Sequence, residues 1–188
     1  MRAFIALELS KGIKNELARC QEKLKKSGAD VKWVKTSNIH LTLKFLGEIP
    51  EEKLSGIKKI LDSLAEEQAP FEISLFKFGA FPNLDHPRVV WAGTDKGCSE
   101  AEGMADILSR ELEKIGFPEE GRRFSAHLTV GRIRSDKNKE SLKNLVDSLE
   151  VRPESCDINE IILFKSTLTP DGPIYDALYK AELKGSIR

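Results

Sequence analysis

The sequence contains two stretches that predict the same order of secondary-structure elements, each built around a His-x-Thr strand. Ile39-His-Leu-Thr-Leu-Lys-Phe45 alternates between apolar and polar residues, and Ala126-His-Leu-Thr-Val130 does the same. Such alternation is typical of a strand with one buried face. Around both strands the predicted order is strand, helix, His-x-Thr strand, helix, strand. The approximate repeats are residues 1–81 and 88–168, with a closing strand at 174–183, which indicates an internal duplication.

The segments between the predicted strands have the periodicity of amphipathic helices. Ser10 is a good N-cap for a helix that ends near Gly28, and Glu51 to Gln68 has acidic residues in its first turn and one apolar stripe. Ser99-x-x-Glu102 predicts a capping box for a third helix. We therefore expect an α+β fold. We expect a single domain over residues 1–188 with two pseudo-symmetric lobes. The sheets of the lobes should be largely antiparallel and line a central cleft, with the helices on the outside.

Composition limits what the protein can bind and where it works. Thirty basic residues balance thirty acidic ones, so the chain has no global positive field, and any contact with nucleic acid must be local. Cys20, Cys98 and Cys156 are far apart and odd in number, which favours a reducing cytoplasm over a disulfide framework or a zinc site. No run of about 20 apolar residues is present, so we expect no membrane span. The expected protein is a cytoplasmic monomer.

The two motifs place histidine and threonine side chains on the same face of each strand. Residues two apart in a strand share a face, so His40 and Thr42 project together, as do His127 and Thr129. One His-x-Thr alone is weak evidence, because a histidine on the wet face of a strand is usually ordinary surface. The chain has three histidines, and two of them fall at matching places in the duplication. These four residues are therefore the candidate site.

Two basic residues near the motifs are candidates for binding phosphate. In an unbroken strand Arg132 would point inward, but a bulge at Gly131 would turn it to the face of His127. There its forked donors could hold two phosphate oxygens. Lys44 has the same parity as His40 and could add positive potential. The alternative for both residues is a solvated surface side chain.

Two facing imidazoles suit the opening of a cyclic phosphodiester. Attack by water requires a base on one side of phosphorus and an acid at the leaving oxygen, and histidine can perform either role near neutral pH. Threonine hydroxyls can donate hydrogen bonds to the non-bridging oxygens as charge develops. The sequence shows no carboxylate and histidine cluster with metal spacing. We therefore expect a reaction that uses no metal and no cofactor.

The chain resembles the 2'-5' RNA ligase family, also described as RNA 2',3'-cyclic phosphodiesterases, within the two-histidine phosphoesterases. The resemblance covers nearly the whole chain and is carried by six segments and Arg132: Phe4-Ile-Ala6, Trp33-Val34, Asn38-Ile-His-Leu-Thr-Leu-Lys-Phe-Leu-Gly-Glu48, Pro87-Arg-Val-Val-Trp-Ala-Gly93, Phe124-Ser-Ala-His-Leu-Thr-Val130 and Ser166 to Tyr175.

The resemblance implies an enzyme that converts RNA 2',3'-cyclic phosphate ends to 2'-phosphates, with His40 as the proton donor and His127 as the proton acceptor. It also implies metal independence and the ability to join such an end to a 5'-hydroxyl through a 2'-5' linkage. RNA ends, tRNA fragments among them, are the implied partners. Two alternatives stay open: a cyclic phosphodiesterase for a small nucleotide, and a protein that binds RNA ends without turning them over.

Overall fold

The computed structural model describes residues 1–119, 121 and 123–186. It has an α+β fold of nine strands and four α-helices over this part of the chain. The strands are β1 (Arg2–Leu7), β2 (Val31–Trp33), β3 (Leu41–Glu48), β4 (Phe71–Phe81), β5 (Val89–Thr94), β6 (His127–Ile133), β7 (Ser155–Ile158), β8 (Glu160–Thr169) and β9 (Gly172–Glu182). The helices are α1 (Lys11–Lys25), α2 (Leu54–Glu67), α3 (Cys98–Glu113) and α4 (Lys139–Asp147).

The strands form two sheets in which every neighbouring pair is antiparallel. One sheet has the order β3-β1-β8-β9 and the other has the order β2-β6-β5-β4-β7. We call them sheet A and sheet B. The predicted α+β class with antiparallel sheets is therefore confirmed. No helix in the described ranges is long and apolar enough to span a membrane.

The two predicted repeats exchange strands, because β2 and β4 of the first repeat lie in sheet B and β8 of the second repeat lies in sheet A. In sheet A the order β3-β1-β8 corresponds to β6-β5-β4 in sheet B, except that β3 is an edge strand and β6 also pairs with β2. However, β4, the last strand of the first repeat, pairs with β5 of the second repeat, and β8 pairs with β1. Each sheet therefore contains strands from both predicted repeats, residues 1–81 and 88–168.

Helix α1 shows how the local sequence sets an element. Ser10 accepts a hydrogen bond on Oγ from the amide of Ile13 (3.3 Å), as an N-cap does. Ile13, Leu17 and Leu24 are fully buried on one stripe. After the helix, Gly28 has a φ of +66°, a conformation that costs glycine little. The predicted start and end of this helix are confirmed.

Helix α3 begins differently from the prediction. Its N-cap is Gly97, with a φ of 80°, and Cys98 is the first helical residue. The hydroxyl of Ser99 donates to the carboxylate of Glu100 (2.9 Å). The predicted capping box at Ser99 is therefore wrong, because the N-cap is two residues earlier, at Gly97, and Ser99 lies within the first turn of the helix.

The buried apolar residues form two clusters of different size. The large cluster fills the space between the sheets and the helices. The small cluster consists of Phe4, Ala6, Ile162 and Phe164, with Tyr175 packed against it. Since successive residues of a strand point to opposite faces, these side chains lie on the face of sheet A away from the main core. That face carries His40.

Candidate active site

His40 lies immediately before β3, after a short 3-10 turn at Thr36–Asn38. Two long-range hydrogen bonds hold this turn. Lys14 Nζ donates to the carbonyl of Ser37 (3.1 Å), and Asn38 Nδ2 donates to the carbonyl of Pro173 (2.8 Å). The backbone that presents His40 is thereby connected to both α1 and β9.

The imidazole of His40 is surrounded by aromatic rings. Phe4 stacks on it, with ring centroids 4.7 Å apart and an interplanar angle of 20°. Phe164 is a second stacked ring at 5.9 Å, and Tyr175 presents an edge at 5.2 Å. Apolar surroundings disfavour the charged form of an imidazole. We call these three residues the aromatic box.

Burial lowers the pKa of His40 to about 4. The nearby carboxylate of Glu8 and a backbone hydrogen bond with Asn38 act in the opposite direction, whereas Lys14 lowers the pKa further. Glu8 and Lys14 form an ion pair with each other (2.5 Å), so their effects on the pKa of His40 oppose each other. In the unliganded protein at neutral pH, His40 is therefore uncharged.

His127 is the first residue of β6 and has a different environment. Its Nδ1 lies 2.7 Å from the carbonyl oxygen of Ser125. A carbonyl oxygen can only accept, so Nδ1 carries the hydrogen, and the neutral ring has its lone pair on Nε2. The ring of Phe81 meets the imidazole edge-on at 5.0 Å. His127 can therefore act as a base through Nε2.

Each threonine lies on the same sheet face as its histidine. Thr42 is directly opposite Ala6, a member of the small cluster around His40. Thr129 is directly opposite Trp91, whose ring contacts Phe81 at 5.3 Å. Both threonines are partly exposed.

The two His-x-Thr strands approach each other between the sheets. Strands β3 and β6 are in direct contact. Tyr175, whose ring touches His40, also interacts electrostatically with Arg132 on β6. Side chains of sheet A and sheet B therefore share one cleft at this point.

Arg132 is turned to the cleft by the bulge that the sequence predicted. The pairing of β5 with β6 shifts by one residue between Val90 and Trp91, because β6 has an extra residue between Thr129 and Gly131. Val130 and Gly131 are both buried, whereas Arg132 is exposed. A bulge places two successive residues on one face. Arg132 thus shares the face of His127 and Thr129.

Lys44 does not share the face of His40. The pairing of β1 with β3 shifts between Ile5 and Ala6, so that Lys44 is opposite the core residue Ile5. Lys44 is 3% exposed, and its Nζ donates to the carbonyl of Pro118 (2.9 Å). The expectation from parity is wrong because a bulge at Leu43 reverses the alternation. The side chain of Lys44 therefore does not lie on the sheet face that carries His40 and Thr42.

Sequence reasoning did not identify the aromatic residues of the site. Phe4, Phe164 and Tyr175 converge on His40 only because β1, β8 and β9 are neighbours in sheet A. Phe81 contacts His127, whereas Phe78, three residues earlier in β4, is buried in the main core. Among the described residues, no group of three or more histidine, cysteine, aspartate and glutamate side chains is placed to hold a metal ion.

Two antiparallel sheets, each bringing one His-x-Thr strand to a shared cleft, define a two-histidine phosphoesterase. The chain belongs to the family described as LigT like Phosphoesterase, whose model matches residues 7–91 and 96–175.

Relatives of similar length carry one functional name. The chain is 39% identical over 179 residues to an RNA 2',3'-cyclic phosphodiesterase of Methanothermobacter thermautotrophicus, covering 93% of this chain and 95% of the relative. It is 39% identical to the protein of that name from Methanocaldococcus jannaschii, with 95% and 98% covered.

Solved structures have the same architecture. A crystal structure of a Thermus thermophilus protein matches with a TM-score of 0.82 at 29% identity and covers 100% of both chains. E. coli LigT complexed with NADP+ matches with a TM-score of 0.74 at 24% identity, covering 97% of this chain and 98% of the other. The second likeness concerns the fold alone.

Proposed function

We propose that this protein hydrolyses 2',3'-cyclic phosphate ends of RNA to 2'-phosphates, with His40 and His127 as an acid-base pair. The observation that carries the proposal is the meeting of two His-x-Thr strands at one cleft. The relatives named RNA 2',3'-cyclic phosphodiesterase support this choice of substrate.

The reaction needs one proton taken and one proton given. His127, with its lone pair on Nε2, removes a proton from water as the water oxygen forms a bond to phosphorus. The bond between phosphorus and the 3'-oxygen breaks, and His40 protonates that oxygen. Thr42, Thr129 and Arg132 donate hydrogen bonds to the non-bridging oxygens as charge develops.

To act as the acid, His40 must take up a proton from solvent when the substrate binds. Burial gives the empty site a pKa of about 4 at His40, which favours the neutral imidazole. A bound phosphodiester brings a negative charge against the ring and raises this pKa, because an opposite charge stabilises the protonated form. His40 then becomes an acid only when there is a leaving group to protonate.

An exposed aromatic residue is placed to contact the nucleobase. Phe45 is 64% exposed and lies opposite Phe4 on the face of His40, with ring centroids 6.2 Å apart. Stacking on such a ring is the usual way in which proteins hold an unpaired base. The substrate class is thus a nucleotide end, single-stranded at the site, and we include tRNA fragments.

Joining to a 5'-hydroxyl follows from the same chemistry. When the 5'-hydroxyl of a second RNA replaces water as the attacking group, the same displacement yields a 2'-5' linkage and a free 3'-hydroxyl. We place the enzyme in the cytoplasm as a monomer. The three cysteines are free in the structure, which is consistent with a reducing compartment.

The direct test is the product formed from an RNA oligonucleotide that ends in a 2',3'-cyclic phosphate, incubated with the protein in EDTA. We expect a 2'-phosphate, formed at an unchanged rate with the chelator, because imidazole and hydroxyl groups need no Lewis acid. His86→Ala, which changes the third histidine in an exposed loop, should leave the rate unchanged. A 3'-phosphate product, or activity that returns only with added metal, contradicts the proposal.

The division of roles is tested with a substrate that has sulfur in place of the 3'-bridging oxygen. A thiolate leaves without receiving a proton. We therefore expect this substrate to restore turnover to His40→Ala and to leave His127→Ala inactive. If the sulfur substrate instead restored turnover to His127→Ala, His127 would be the proton donor and His40 the proton acceptor.

A further inference from the structure

Two arginines on different sheets, Arg132 and Arg2, influence the pKa of the same tyrosine, Tyr175, beside the cleft. Tyr175 touches His40 and also Phe4, with ring centroids 4.9 Å apart. Burial raises the pKa of Tyr175, and the positive charges of Arg132 and Arg2 partly oppose this rise. The Tyr175 hydroxyl therefore lies within electrostatic reach of Arg132 from sheet B and of Arg2 from sheet A.

Arg2 is on the cleft face of sheet A but farther from the reacting centre. It precedes Phe4 by two residues in β1, so the two side chains share a face with their Cα atoms about 7 Å apart. Arg2 is exposed. Its cross-strand neighbour Glu48 forms an ion pair with the Met1 amino group (3.3 Å). Within the described residues Arg2 itself has no ion-pair partner.

An RNA end presents a second negative charge next to the cyclic phosphate, on the phosphate that joins the last two nucleotides. A cyclic mononucleotide lacks this charge. Thr42 lies opposite Ala6, His40 stacks on Phe4, and Arg2 is the next residue after Phe4 on this face of β1. A cyclic phosphate at the histidines therefore leaves Arg2 free to contact a neighbouring phosphate of the same RNA. An exposed arginine with no ion-pair partner among the described residues is suited to a phosphate, and it shares its sheet face with Phe4, whose ring contacts Tyr175.

We infer that Arg2 and the Tyr175 hydroxyl bind the phosphate that precedes the terminal nucleotide. This contact makes the enzyme select RNA ends of two or more nucleotides over cyclic mononucleotides. The inference rests on the proposed function and names its substrate class more closely.

The test compares Arg2→Gln with wild-type protein on three substrates: adenosine 2',3'-cyclic phosphate, the dinucleotide ApA with a 2',3'-cyclic phosphate, and that dinucleotide with an uncharged methylphosphonate between its nucleosides. For the charged dinucleotide, we expect kcat/KM to fall about tenfold, the effect of one charge-assisted hydrogen bond. The other two substrates should be unaffected. Arg152→Gln is the control, because it removes an equal charge from an exposed loop residue elsewhere.

Two further readouts separate binding of phosphate from a structural role. Arg2→Lys should recover part of the lost kcat/KM, since it keeps the charge. The dependence of log KM for the charged dinucleotide on log salt concentration should become shallower by about 0.7 in Arg2→Gln, as expected for one lost phosphate contact on a single strand. Equal losses on all three substrates, or no loss on any, would overturn the inference and leave the proposed function standing. No turnover of any substrate by wild-type protein would overturn both.

Discussion

The same two-residue motif has two different environments in this protein. His40 is enclosed by Phe4, Phe164 and Tyr175, whereas His127 has one aromatic neighbour, Phe81. Both rings are nevertheless anchored alike, by the backbone of the residue two positions earlier. Duplication thus explains the shared anchoring, and the surrounding strands explain how two copies of one motif can take different roles.

A first prediction concerns the titration of His40, followed by NMR of its ring carbon-bound protons. Because burial is the main cause of its low pKa, we expect a midpoint near 4 in the free protein and a higher one when inorganic phosphate is bound. Phe4→Ala, which admits water to the aromatic box, should also raise the midpoint. A free-protein midpoint at or above the unperturbed histidine value of about 6.5 would contradict the account of His40.

Arg132 and Lys44 show how far residue-level prediction can go. A bulge in β6 could be predicted because an unbroken strand would have buried an arginine next to Gly131, and glycine marks such sites. The sequence gives no indication of the bulge in β3. Leu43 is apolar and Lys44 is polar, so the alternation is the one expected of an unbroken strand. The aromatic box was not predictable from local pattern, because its residues come together only through the strand order of sheet A.

At the scale of elements, a buried carboxylate connects α1 to the loop before β7. Glu16 is 5% exposed and accepts hydrogen bonds from Arg19 Nε (2.8 Å) and from the amide of Arg152 (2.8 Å). The hydrogen bond from Arg19 is the main reason that the pKa of Glu16 falls to about 2. Since α1 also supplies Lys14, which holds the turn before His40, this connection supports the site indirectly.

Glu16→Gln should lower the free energy of unfolding by about 1–3 kcal/mol at pH 7, because the buried partners lose a charged acceptor. The pKa is lower in the folded state than the unperturbed 4.5. The stabilisation is therefore complete above about pH 4.5 and is lost as the pH falls towards 2. Urea unfolding at pH 7 and at pH 3 should show that the difference in free energy of unfolding between wild-type protein and Glu16→Gln is smaller at pH 3.

The matched control for this measurement is Glu22→Gln on the same helix. Glu22 also pairs with a basic residue three positions later, Lys25, but its side chain is 70% exposed. Exposed ion pairs of this kind contribute little to the free energy of unfolding. Equal effects of Glu16→Gln and Glu22→Gln would show that burial of Glu16 has no special role.

At the scale of the whole molecule, the exchange of β4 and β8 makes the two repeats one folding unit. Each sheet needs strands from both repeats, so neither repeat alone can complete a sheet. The sequence predicted the duplication because the periodicity of each element is local. It could not predict the exchange, because pairing between β1 and β8 joins residues at opposite ends of the chain. The exchange ties the strands that carry the two histidines into a single scaffold.

The central claim, that His40 and His127 act together on one phosphate, is tested by a double-mutant cycle. The measured quantity is the rate of hydrolysis, with saturating enzyme, of ApA ending in a 2',3'-cyclic phosphate. We expect His40→Ala and His127→Ala each to lose roughly 10²- to 10⁴-fold in rate, the usual contribution of a general acid or base. The double mutant should be within about tenfold of the slower single mutant, because groups that act as a unit are not additive. A double mutant whose loss equals the product of the two single losses would show that the histidines act independently and would contradict the account.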